Sequence, residues 1–235
     1  MLFETYPRVR PPLTPAHERI FAAEYKLNRD GAASIEHLAK RVEGWMHRKV
    51  AGIPGSPVLE IGAGTLNHLR FESTIADYDI VEPFRELFAD SPCLPKVRRV
   101  FANQAEIPAE PSYVRIISVA VLEHLTDLPR ELARSGLLLR ADGVFQAGIP
   151  SEGGFLWWLG WRCTTGITYW LRNRLDYGVI VKHEHVNRAP EIIGLTRHFF
   201  RNVRITRFPL PAHQLSLYAY LEARDPDLER CRAAL

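Results

Sequence analysis

The chain has 235 residues, 46% hydrophobic and 24% charged, enough for one full-sized domain with a buried core and an extra lobe. Its net charge of +3 and pI near 8.8 are mild, and the densest basic spots (Lys40-Arg41 with Arg48-Lys49, and Arg98-Arg99) are short, which argues against a nucleic-acid binder. Cys93, Cys163 and Cys231 are too few and too far apart for a disulfide framework or a zinc motif, and MLFETYPRVRPPLTP has no apolar leader run, so a cytoplasmic location is expected.

Pro7, Pro11 and Pro12 keep the start of the chain out of helix. A first helix is expected after Thr14, with Pro15 in its first turn, to about Tyr25. A second fits Ala33–Val50, where Ile35, Leu38, Val42 and Trp45 or Met46 recur at helical spacing. Ala51–Pro57 then breaks the chain with Gly and Pro, so residues 1–57 read as a helical N-terminal lobe and 58–235 as the main domain. From Val58, short apolar runs alternate with helical stretches. Strands are expected at Val58–Ile61, Tyr78–Val81, Val97–Ala102, Val114–Val121 and Gly143–Ile149, with a helix from Thr126 or Asp127 to about Leu139. The last two, Asn202–Phe208 and Leu215–Ala223, are joined by Pro-Leu-Pro, too short for a crossover, and must pair antiparallel. The expected fold is α/β: a Rossmann-like, mostly parallel seven-stranded sheet with an antiparallel end and helices on both faces.

VLEIGAGTLNHL (58–69) holds a glycine turn after the first strand, at the edge where open sheets bind ligands. Glycine there permits positive φ and removes a Cβ that would block a ligand. Glu82 ends the second strand eighteen residues after Gly64, placed to accept both hydroxyls of a ribose. Asn67 stands where a dinucleotide site has its third glycine, and Glu60 lies inside the strand, where such a site needs no acid.

These residues resemble the class I S-adenosylmethionine-dependent methyltransferases, in the small-molecule branch. VLEIGAGT is similar to that family's first motif and YDIVEP to its second; NQAEIP (103–108) and SVAVLEHL (118–125) resemble its third- and fourth-strand segments. The resemblance implies S-adenosylmethionine as cofactor and S-adenosylhomocysteine as product. Gly62, Ala63 and Gly64 would meet the methionine part with Glu60 in support. Glu82-Pro83 would lie at the ribose, Asn103 or its neighbour Gln104 at the adenine amino group, and Ala120 and Val121 beside the cofactor. Asn103 stands where the family commonly has aspartate.

Methyl transfer to a hydroxyl gains from a base. His124, after strand four, and His185, in His183-Glu184-His185, are the candidates. His183 and His185 fall on one face of an extended segment, but no third ligand is suggested. Family members acting on quinone precursors hold a divalent metal with a Glu-His pair and an acid three residues before the Glu; here that position is Ala120, and no metal is expected. Residues 151–182 read as an apolar, lid-like insertion with four tryptophans, too broken by Gly and polar residues to span a membrane. It can pack as a lid, face a membrane or lipid-linked acceptor through 155–174, or offer an aromatic platform. The expected activity is methylation, at oxygen, of a small or lipid-linked metabolite. The alternatives are a non-catalytic partner subunit of the same fold and an NAD-dependent reductase.

Overall fold

The computed structural model describes residues 3–27, 44–73 and 76–235. Seven strands form one sheet: β1 (Val58–Ile61), β2 (Tyr78–Val81), β3 (Val97–Phe101), β4 (Tyr113–Val119), β5 (Leu139–Pro150), β6 (Phe200–Pro209) and β7 (Ser216–Pro226). Their order is β3-β2-β1-β4-β5-β7-β6. The first five are parallel, and β7 lies antiparallel between β5 and β6. VLEI and YDIV read as unbroken runs because both faces are covered: all four residues of β1 and of β2 are buried. β3 is an edge strand and carries charge accordingly, with Arg98 and Arg99 both donating to the buried Asp79 of β2 at 2.7 and 2.8 Å.

One face is covered by α3 (Leu128–Leu138), α7 (Ala189–Phe199) and α8 (Leu228–Ala233). Leu132, Ile192, Phe199 and Cys231 meet Ile116, Phe145 and Leu221 there, each large apolar side chain contributing about 1.5–3 kcal/mol by leaving water. On the other face a helical segment, α2 (44–50), sets Met46 and Val50 against Tyr78, Ile80 and Ile117. The rest of the second expected helix lies outside the described residues. Arg115 of β4 is buried beneath α2, donating to Glu72 at 2.9 Å, to Gln146 at 3.0 Å and to the Val50 carbonyl at 3.1 Å.

The links around β2 differ from the expected alternation. Among the described residues they hold only 3-10 turns, at His68–Arg70, Arg85–Leu87 and Leu94–Lys96. Leu66, at φ 63°, interrupts the first link, and Pro83, Pro92 and Pro95 cut up the second.

The N-terminal helix α1 (Pro15–Leu27) packs on the insertion, where His17 Nε2 meets the Asp176 carbonyl at 3.0 Å and its ring stacks on Tyr169. The insertion folds as α4 (Phe155–Trp161), a π turn (Arg162–Gly166), α5 (Ile167–Asn173) and α6 (Tyr177–Glu184). No described helix is long and apolar enough to cross a membrane.

Candidate functional site

The glycine turn, Glu82, Asn103, His124 and the loop after β5 all leave the carboxyl ends of parallel strands, so one edge of the sheet collects them. The order runs outward from β1 in one direction and from β4 in the other, which puts a crevice beside the turn. The two glycines do different jobs. Gly62, at φ 70°, lies so close to Val121 that a Cβ would stand 2.5 Å from its methyl group; this glycine serves packing. Gly64, at φ 51°, would place a Cβ in open space with nothing within 4 Å, so a ligand can approach its backbone. Beside it, the Glu82 carboxylate is 6% exposed and accepts from Gly64 N–H at 2.9 Å and from Phe84 N–H at 3.0 Å. It ties the β1 turn to the end of β2 and keeps acceptor capacity for further donors.

Glu60 is buried behind this turn and accepts from the Tyr78 hydroxyl at 2.8 Å. Burial pushes its carboxyl up to about 7, against the pull of His68 and of that hydrogen bond. Pro83 is exposed at the end of β2. Asn103 is exposed and caps the 3-10 turn Gln104–Glu106, its side-chain oxygen accepting from Ala105 N–H at 2.9 Å. Gln104 turns inward: its amide donates to Glu131 at 2.6 Å, which fixes α3 to the end of β3. Ala120 takes φ 55° and donates its N–H to the Gly148 carbonyl at 2.8 Å, turning the chain so that Val121 reaches Gly62.

A second cluster forms where β4 and β5 end. Glu123 and His124 lie in the 3-10 turn Leu122–His124, and His185 follows α6. The two imidazoles meet edge to face with centroids 4.8 Å apart, and ligand atoms of all three residues lie within 4.8 Å of one another. Each histidine is held through Nδ1: that of His124 by the Glu184 carbonyl at 3.0 Å, that of His185 by the Glu152 carboxylate at 2.7 Å. Burial lowers the pKa of His185, but the Glu152 bond and the charges of Glu123, Glu152 and Glu184 outweigh it, and the net shift is upward. Trp157 of α4 covers this imidazole at a centroid distance of 5.7 Å.

Three residues that sequence reasoning missed hold the cluster. Glu152 orients His185. Arg10 donates to the carbonyls of His124 at 2.9 Å and of His183 and Glu184 at 3.1 Å. Asn187 lies just before Arg188, the N-cap of α7, and donates to the carbonyls of Leu122 and Leu125 at 2.9 and 2.7 Å. Arg10 lies more than a hundred residues from its acceptors, and no local pattern marks it. Asn187, two residues beyond His185, was the one available signal.

No family model and no curated protein matches the chain. Solved structures do. A SAM-dependent methyltransferase from Thermotoga maritima, described as a possible histamine N-methyltransferase, superposes with TM-score 0.59 at 18% identity, over 88% of this chain and 97% of that one. The chain has the class I S-adenosylmethionine-dependent methyltransferase fold. The 1,6-didemethyltoxoflavin-N1-methyltransferase of Burkholderia thailandensis, solved with that substrate and S-adenosylhomocysteine, shares this fold at TM-score 0.57 and 21% identity, over 93% and 94% of the two chains. An O-methyltransferase family protein from the same organism gives 0.58 at 13% identity, over 93% of this chain and 65% of that one. At these identities the likeness is one of fold.

Proposed function

We propose that the protein is a methyltransferase that uses S-adenosylmethionine to methylate a small or lipid-linked metabolite at oxygen. The observation that carries the reading is the open backbone of Gly64 beside the buried Glu82 carboxylate. The first presents a bare edge to a ligand; the second offers acceptors to a ribose diol. The 3-10 turn that follows supports a ligand without phosphates. A dinucleotide pyrophosphate is ordinarily held at a helix N-terminus after this turn, and among the described residues here the 3-10 turn His68–Arg70 follows. In this reading Gly62, Ala63 and Gly64 form the cradle, Glu60 supports the ammonium group from behind, Glu82 and Pro83 frame the ribose, Asn103 faces the adenine edge, and Ala120 and Val121 line the floor. Gln104 acts indirectly, by fixing the turn that carries Asn103. Residues 1–57 serve as a lobe on the domain formed by 58–235, with Arg10 bracing the acceptor side.

The cofactor supplies an electrophilic methyl group, so the chain's own work is alignment and proton handling. His124 and His185 stand at the acceptor side, where a free imidazole Nε2 can take the hydroxyl proton. Trp157 lies over the His185 imidazole. Phe155, Trp158, Leu159, Ile167, Trp170 and Leu171 are exposed on α4 and α5, with Arg162 over Trp158 and Arg174 over Trp170. An apolar face with interleaved cations suits an interfacial surface and a lipid-linked acceptor.

Equilibrium dialysis against S-adenosylmethionine and NADH tests the cofactor; one equivalent of the former and none of the latter is expected, and the reverse would hand the site to a reductase. For the surface, the double variant Trp158→Ala/Trp170→Ala should lose sedimentation with anionic vesicles while keeping the cofactor. Equal sedimentation of both proteins, or none by wild type, would remove the membrane from the reading.

A further inference from the structure

Glu123, His124 and His185 come from two elements 61 residues apart and converge on one point. Glu123 is 2% exposed, and its Oε2 has no hydrogen-bond partner among the described residues. A buried, unsatisfied carboxylate oxygen costs about 1–3 kcal/mol or more, so its position demands a partner. His124 presents Nε2 to the same carboxylate, 4.0 Å from Oε1. In both imidazoles Nδ1 is engaged by an oxygen, the arrangement that fixes the tautomer of a metal-ligating histidine and offers Nε2 to an ion. The backbone is braced around them: the Glu123 carbonyl accepts from Val186 and Asn187 N–H at 2.9 and 3.1 Å.

We propose that Glu123, His124 and His185 form a binding site for one divalent transition-metal ion, with zinc as its representative. Two imidazoles and a carboxylate suit a borderline ion and leave positions open for a further oxygen ligand. Ligand atoms around such an ion stand about 3–3.5 Å apart; those of the triad lie within 4.8 Å of one another, so uptake of the ion requires the three side chains to draw together. The set differs from the sequence-local one considered earlier, since its third ligand is His185 and Ala120 contributes none. The site stands on these residues alone; only the role of the ion rests on the methyl-transfer reading. In that role the ion, and not an imidazole, would ionise the acceptor hydroxyl, because both Nε2 atoms would be engaged as its ligands. The hydroxyl proton passes to solvent water, and the methyl group leaves the sulfonium sulfur for that oxygen.

The test is calorimetric titration of the tag-free full chain with zinc alone, in a Cys163→Ser background, because that thiol is exposed and binds zinc itself. One ion per chain is expected. His185→Gln and Glu123→Gln should weaken binding tenfold or more, and Glu152→Gln about 10- to 100-fold through loss of His185 orientation. His183→Gln, whose Nδ1 faces the Pro11 carbonyl away from the triad, should change nothing. Cobalt adds a spectroscopic readout: its visible absorption bands should develop with the wild-type side chains and vanish in His185→Gln. If Glu123→Gln fails to fold, the His185 and Glu152 variants decide. Failure of the protein to take up one equivalent, or uptake indifferent to His185→Gln, would overturn the site. Binding of S-adenosylhomocysteine, measured in parallel, separates this outcome from failure of the methyltransferase reading.

Discussion

Replacing Glu60 with Gln should stabilise the protein at alkaline pH. The carboxyl is 2% exposed and accepts from the Tyr78 hydroxyl. Burial raises its pKa from 4.5 to about 7. Between those values the folded chain holds a proton that the unfolded chain has released, so stability falls as pH rises through the window. At about 1.36 kcal/mol per unit, the cost of ionising Glu60 above pH 7 is about 3 kcal/mol. Glutamine keeps an acceptor for Tyr78 and never ionises. For a chain of this size about 2–4 °C accompanies each kcal/mol, so the variant should melt roughly 6–12 °C above wild type at pH 8.5 and level with it at pH 4. Thermal melts across that range would show it. A variant no more stable than wild type at pH 8.5, or an offset that persists at pH 4, would refute the assignment. If Glu60 supports a ligand ammonium group, the same substitution weakens S-adenosylhomocysteine binding.

The remaining predictions use neighbouring groups. His47 is pushed down to about 4, first by burial and then by the charges of His68 and Arg48. Its contribution, about 3 kcal/mol, is present above pH 6.5 and lost as pH falls towards 4; in the Glu60→Gln background, melts should therefore rise with pH across that window, and a flat profile would contradict it. Arg115→Met leaves Glu72 buried without its guanidinium and should cost about 3–5 kcal/mol in denaturant unfolding, only part of it recovered when Glu72→Leu is added, because that change also removes the partner of the buried His68 Nε2. Gly62→Ala meets Val121 and adds left-handed backbone strain, and should destabilise by about 2–5 kcal/mol. Gly64→Ala meets nothing and should cost only its left-handed backbone strain, about 1–2 kcal/mol, while impairing ligand binding more than Gly62→Ala impairs it per unit of lost stability.

The strand pattern was legible because β1 and β2, and most of β4 and β5, are buried and read as apolar runs, and because Pro-Leu-Pro leaves no room for a crossover between β6 and β7; the exposed edge strand β3 gave the weaker signal. The 3-10 links were not. Their brevity depends on Leu66 in a left-handed conformation and on three prolines acting together, and alternation of strands had implied helices there. The glycine turn was visible as a motif, yet only the structure separates Gly62, closed by Val121, from Gly64, which is open. His124 and His185 were singled out one at a time. Their meeting depends on α6 returning the chain to the end of β4, and on Arg10, Glu152 and Asn187, whose contacts span distances that no spacing rule records.

The central claim is that Glu82 and the Gly64 backbone hold an adenosine cofactor without phosphates. It is tested most directly by calorimetric titration of S-adenosylhomocysteine into wild type and into Glu82→Ala, with circular dichroism to show that both are folded. Charged hydrogen bonds contribute about 1.5–3 kcal/mol each, and two to a ribose diol are lost in the variant. One equivalent bound at micromolar affinity by wild type, weakened at least about 100-fold in Glu82→Ala, is the predicted result. No binding by wild type, or equal binding by the two proteins, would contradict it.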